Sequence, residues 1–175
     1  MAISNDQKTK LNTACPALRR AVLGTAVQTA QANIAALTVS RVPLTVTVAP
    51  DITATITSTQ LFIAGAPGTI PRAGFTLGNT GADGTDALSL EMNVLINGTT
   101  IFTTKPKLLG GIGAAAAVDG ATTYVAGTGV TVGVVNATAN IVVAGDIITY
   151  TFTLVRTTPE DEMALLFAAV ELAYT

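Results

Sequence analysis

Residues 88–104 read LSLEMNVLINGTTIFTT. Leu88, Leu90, Met92, Val94 and Ile96 alternate with Ser89, Glu91, Asn93 and Leu95, the period of two that gives a strand one buried face. Asn97-Gly98 follows at once. Both residues accept positive φ at low cost, so the pair predicts a tight turn and a return strand over Thr99–Thr104.

The same period extends on both sides. Leu44, Val46 and Val48 alternate with Thr, as do Ile52, Ala54 and Ile56, and β-branched Thr suits the wet face of a sheet. Pro50-Asp51 predicts the break between these two strands. Residues 65–87, GAPGTIPRAGFTLGNTGADGTDA, are dense in Gly, Pro, Asn and Asp and read as a long loop holding one short strand. Residues 109–121 are rich in Gly and Ala and read as a second loop. Short strands are expected at 122–126, 130–135 and 139–143, then an Ala144-Gly145-Asp146 turn. That turn leads into Ile147–Val155, where Ile148, Tyr150, Phe152 and Leu154 share a face. Thr158–Glu162 is a charged turn before a last strand, Ala164–Tyr174.

Before Arg41 the period changes. Residues 4–37 read as helical, with Ser4 and Gln7 as a capping box and Pro16 as a stop or a restart. Leu23, Val27, Ala30, Ile34 and Leu37 form one apolar stripe. The expected organisation is a helical arm over residues 1–41 and a mainly β, antiparallel sandwich over residues 42–175. About eight strands joined by long loops favour a jelly-roll or Greek-key order over an up-and-down barrel. No alternation of strand and helix suggests a parallel sheet.

Composition removes many activities. The 175 residues include no His, no Trp and one Cys. His-based triads, His-ligated metals, multi-Cys zinc sites and an internal disulfide are therefore excluded. Only 11% of residues are charged, against about 25% in ordinary soluble domains. Hydrophobic residues make up 49%, and mean hydropathy is +0.55. Such a chain reads as a structural β protein shielded within an assembly. Net charge is −2, which gives no drive toward nucleic acid. Lys8, Lys10, Arg19, Arg20 and Arg41 face one acid before residue 42, while four cations face ten acids after it. A basic arm on an acidic body suits docking on a neighbour. The run AVLGTAVQTAQA after Arg20 is interrupted by Gly24, Thr25, Gln28 and Thr29 and reads as neither leader nor membrane span.

Candidate chemistry is sparse. Asp83 with Asp86, and Glu160-Asp161-Glu162, are paired acids of the kind glycoside hydrolysis uses, but the latter is also an ordinary charged turn. Asn79, Asp83 and Asp86 offer oxygen ligands for Ca²⁺ without EF-hand spacing. Gly110-Gly-Ile-Gly113 and Gly127-Thr-Gly129 lack the Lys-Ser/Thr of a phosphate loop. Asn97-Gly-Thr99 and Asn136-Ala-Thr138 match the glycosylation sequon, the first being better explained as a hairpin turn. Cys15 lies near Lys10, Arg19 and Arg20 and reads as a helix-packed thiol. No catalytic residue, metal or cofactor is assigned.

Asn97-Gly-Thr-Thr-Ile-Phe-Thr-Thr-Lys-Pro106, Ala144-Gly-Asp-Ile-Ile-Thr-Tyr-Thr-Phe152 and Arg156-Thr-Thr-Pro159 resemble the strand-and-turn pattern of small jelly-roll virion proteins of tailed bacteriophages. Capsid decoration, or cement, proteins are the nearest class, and the likeness covers residues 88–175. The resemblance implies a non-catalytic homotrimer on the capsid exterior, bound to the major capsid protein and stabilising the head. It implies no nucleic-acid and no membrane partner. Each copy would bury about 800 Å² per side, and repetition over a closed shell would multiply modest contacts. Lys8, Lys10, Arg19 and Arg20 are the candidate charged contacts, and Leu23, Val27, Ile34 and Leu37 the apolar ones. A tail, baseplate or fibre-base component and a glycan-binding jelly roll are the alternatives.

Overall fold

The computed structural model describes residues 27–28, 40–83, 88–111, 115–157 and 159–174. The chain divides into two units, Met1–Val39 and Ser40–Thr175. Of the expected arm over residues 1–41, Val27 and Gln28 are described as helical and exposed, whereas Ser40 and Arg41 already belong to the first strand of the second unit. The rest of residues 4–37 lies outside the described residues.

The second unit is mainly β and its sheets are antiparallel. β1 (Ser40–Ile52), β14 (Met163–Tyr174), β3 (Gly68–Asn79) and β11 (Ile141–Val142) form one sheet in the order β1-β14-β3-β11. β2 (Ile56–Ile63), β12 (Ile147–Val155), β5 (Ser89–Ile96), β8 (Lys107–Leu109) and β9 (Val130–Thr131) form a second, in the order β2-β12-β5-β8-β9. β6 (Thr99–Thr100) pairs with β5. Two short ladders complete the unit: β7 (Phe102–Thr104) with β10 (Val134–Val135), and β4 (Ala82–Asp83) with β13 (Pro159–Asp161).

The inner faces meet in one apolar core, as in a β-sandwich. Phe75 of β3 and Phe152 of β12 are fully buried, and their rings touch edge to face across the sheets, with centroids 5.2 Å apart at 89°. Tyr150 adds a second edge contact to Phe152 at 5.7 Å. Such pairs contribute about 1 kcal/mol each beyond area burial. Leu90, Met92 and Val94 from β5 and Leu166, Val170 and Leu172 from β14 fill the layer around them.

The turn at Asn97-Gly98 forms as its sequence predicts, but only Thr99–Thr100 of the expected return strand pairs with β5; Phe102–Thr104 leaves to pair with β10. Ile96 and Thr99 pair, and Asn97 and Gly98 have φ of 48° and 84°, the left-handed pair that matches strand twist. Ile148, Tyr150 and Phe152 are buried on one face of β12, as their alternation implies.

Four local expectations change. The first concerns Pro50-Asp51, which does not end a strand. β1 runs on to Ile52, and the break falls at Thr53–Thr55. β1 is an edge strand, where a residue without an N–H is tolerated. The second concerns 65–87, most of which is β3, an interior strand paired with β14 along its length. Its glycines there mark close approach rather than a loop. A Cβ on Gly68 would lie 2.5 Å from the Ala173 carbonyl oxygen. Pro71 falls beyond the two residues that β11 pairs, so no ladder bond is lost on that side. The third concerns 122–126, which makes a single bridge, Thr122 to Thr76, instead of a strand. The fourth concerns the charged turn expected at Thr158–Glu162, where Pro159–Asp161 instead forms β13 and pairs with β4.

Candidate functional site

The outer face of the β1-β14-β3-β11 sheet carries the most distinctive surface among the described residues. Antiparallel partners share a face, so register locates the side chains. Thr47, Phe167 and Thr76 lie in one row across β1, β14 and β3, and Thr76 bridges Thr122 of the following loop. Phe167 is 39% exposed, and Leu165, two residues earlier, is 53% exposed. Leu165 has φ of 55°, a left-handed conformation that costs a branched, bulky residue about 1–2 kcal/mol. Its side chain lies against Gly78, where an added Cβ would come within 2.7 Å of it.

Residues 117–124 close the flank of this face. β11 pairs only Gly68 and Thr69 of β3, so the rest of that edge would present bare amides and carbonyls. The loop supplies the partners. Gly120 N–H donates to Gly78 O at 3.3 Å, Leu77 N–H to Ala121 O at 3.2 Å, and Thr123 N–H to Phe75 O at 3.0 Å. Thr123, almost fully buried, also accepts from Phe75 N–H through Oγ1 at 2.9 Å. At the loop's base the Thr80 amide donates to the Asp119 carboxylate at 3.0 Å.

Tyr124 then crosses β3 above Gly74 and donates its hydroxyl to Ala169 O of β14 at 2.9 Å. Only a residue without a side chain leaves room for the ring. Burial pushes the Tyr124 phenol from 10.0 up to about 12, opposed by the Arg72 charge and assisted by Glu171. Arg72 lies 5.7 Å over the Tyr124 ring, and Arg41 pairs with Glu171 at 2.8 Å.

The loop also holds an apolar groove of about 300 Å³, lined by Val118, Ala121, Thr122, Val125 and Val130 with glycines between them. Val118 and Val125 are 76% and 66% exposed. Thr122 belongs both to the groove and to the Thr47–Phe167–Thr76 row. The resulting patch is largely apolar, with Asp119 beside Val118 and with Arg41, Arg72 and Glu171 at one side. An apolar centre with a charged margin is the anatomy of a protein-binding surface.

Of the expected contact residues, Lys8, Lys10, Arg19, Arg20, Leu23, Ile34 and Leu37 lie outside the described residues. Val27 is exposed on its helical pair. Two of the three candidate oxygen ligands are described, and both have hydrogen-bond partners within the fold. Asp83 is buried, and its Oδ2 accepts from the Thr157 amide at 2.8 Å. Asn79 instead donates to Asp161 at 3.0 Å, and Asp86 is outside the described residues. Among the described residues no three His, Cys, Asp or Glu side chains cluster as metal ligands. Glu162 forms a bidentate pair with Arg156, at 2.6 and 2.7 Å, which ties the acidic β13 segment to the end of β12. No family model, no curated protein and no solved structure matches the chain.

Proposed function

We propose that the chain is a structural virion protein, a jelly-roll decoration protein on the outside of a bacteriophage head. The observation that carries this reading is strand order. With β4, β6, β7, β9, β10 and β13 set aside, the remaining eight strands switch between the β1-β14-β3-β11 and β2-β12-β5-β8 sheets at every step along the chain except β5 to β8, which supports a jelly-roll reading. Jelly rolls are widely used as virion building blocks, and the low charge and Thr-rich faces suit a protein held in an assembly. Fold alone does not assign a task, so the surface has to supply the contact. The largely apolar patch of Leu165, Phe167, Val118 and Val125 is the face proposed to meet the head.

Quantitative mass spectrometry of particles assembled from the genome that encodes the chain tests the proposal. Copies in the hundreds are expected. A few to dozens would assign the chain to the tail or baseplate, and absence from the particle would refute a virion role.

A further inference from the structure

Asn97 does more than turn the chain. Its side-chain amide donates to Asp146 Oδ1 at 2.7 Å and accepts from the Ile147 amide at 2.9 Å. Its own backbone amide donates to Ile147 O at 2.9 Å. Asp146 is itself fixed, because its Oδ2 accepts from Val143 N–H at 2.8 Å. Three hydrogen bonds therefore tie the Asn97-Gly98 turn to Asp146 and Ile147, where the chain passes from β11 of one sheet into β12 of the other.

Asn-Gly is also the dipeptide most open to self-cleavage of a side-chain amide, since no side chain shields the glycine nitrogen. Gly98 N attacks Asn97 Cγ and forms the new C–N bond of a succinimide. The Cγ–Nδ2 bond breaks, and Nδ2 leaves as ammonia with the proton that Gly98 gives up. Water then opens the ring at either carbonyl and leaves aspartate or isoaspartate at position 97.

We infer that the Asn97–Asp146 clamp is a latch on a deamidation site. Closed, it holds the side-chain amide outward, on Asp146 and Ile147, and away from the Gly98 nitrogen. Open, it releases the amide to react. The reaction is not reversed by reclosing, because the ammonia has left; nor does the latch re-form, because a carboxylate at position 97 has no proton to donate and would face the Asp146 carboxylate. The turn is thus a one-way chemical record of local opening, and each event weakens the tie between the two turns. The sequon reading of Asn97 meets the same obstacle, since the nitrogen it would need is already committed to Asp146.

Peptide mass mapping of the full-length chain, aged in mildly alkaline buffer with and without denaturing urea, tests the latch. Two side-chain hydrogen bonds must open, one of them to a carboxylate, so residue 97 in the folded chain is expected to deamidate about a hundredfold more slowly. Equal rates would overturn the inference. Asp146→Ala is expected to speed the folded-state reaction about tenfold, since one charge-assisted bond is lost. A folded D146A chain with an unchanged rate would overturn it. Hydrogen exchange at the Ile147 amide of the unaltered chain decides the matter independently of whether D146A folds. Protection is expected, and exchange at the free-amide rate would overturn the latch.

Discussion

Replacing Thr123 by Val removes one oxygen and keeps nearly the same shape, which makes it a sharp probe of how the 117–124 loop is held. In the folded chain Thr123 Oγ1 accepts from Phe75 N–H at 2.9 Å and donates to Phe75 O at 3.2 Å. Phe75 O keeps a second partner in the Thr123 amide, but Phe75 N–H has no alternative among the hydrogen bonds described around it. Phe75 is fully buried, so water cannot replace the lost acceptor. An orphaned buried donor costs about 1–3 kcal/mol, and the second bond adds about 0.5–1 kcal/mol. Thr123→Val should therefore destabilise by about 2–3 kcal/mol, lowering the melting temperature by about 6–9 °C for a domain of this size. Thr123→Ser keeps the oxygen, loses one methyl and should cost only about 1 kcal/mol. Urea unfolding of both variants, with unchanged slopes, provides the comparison. If Val proves as stable as Ser, burial of apolar area governs this position and the hydrogen-bond account of the loop is wrong.

Further outcomes follow from neighbouring geometry. Gly74→Ala would set a Cβ against Thr123 Oγ1 and within 3.2 Å of the Tyr124 ring, so a loss of about 1–3 kcal/mol is expected in thermal melts. Phe152→Ala removes the ring that touches both Phe75 and Tyr150 and should cost about 3–5 kcal/mol in urea unfolding, enough to unfold a marginal domain. The Tyr124 phenol titrates higher in the folded chain than in the unfolded one, so its contribution is complete below pH 10 and is lost as pH rises toward 12. After allowance for partial solvent access this amounts to about 1 kcal/mol, and Tyr124→Phe should flatten that part of a stability–pH curve. Leu165→Asn keeps a residue that tolerates φ of 55°, so its melting temperature should stay within a few degrees of the parent, while co-sedimentation with phage heads should weaken.

Much of the fold is legible where period two is unbroken. Leu88–Ile96, Asn97-Gly98 and Ile147–Val155 declare their strands and turn because each residue answers to one sheet and one core. β3 is hidden for the opposite reason. Its Gly68, Gly74 and Gly78 are chosen by what leans on them, namely the Ala173 carbonyl, Thr123 with Tyr124, and Leu165. Those neighbours are distant in sequence, so the glycines read locally as loop. The same holds for the candidate surface. Val118, Tyr124 and Val125 stand out in a stretch of small residues, which is a signal that something packs there. Only the register of β14 on β3 reveals that Phe167 and Thr122 share a row.

A comparison of the two central strands bears on what that row is for. On β12 the outward positions are Ile147, Thr149, Thr151, Thr153 and Val155, so the middle of the strand is Thr, short and polar with high strand preference, and its two ends are apolar and exposed. On β14 the equivalent outward run is Leu165, Phe167, Ala169 and Glu171. Exposed apolar residues also occur on the other sheet, at Ile63, Ile147 and Val155, so what sets the outer face of β14 apart is Phe167 beside Leu165. That face also contains Leu165 in a left-handed conformation that Gly or Asn would adopt with less strain. Neither choice helps an isolated domain, since exposed Phe and Leu gain little from burial that is incomplete. Both become favourable once a partner covers the face, because burying the remaining apolar area contributes about 25 cal/mol per Å² and offsets the backbone strain. The surface chemistry of β14 therefore favours a chain whose stable state is an assembled one, which is the condition a decoration protein would meet.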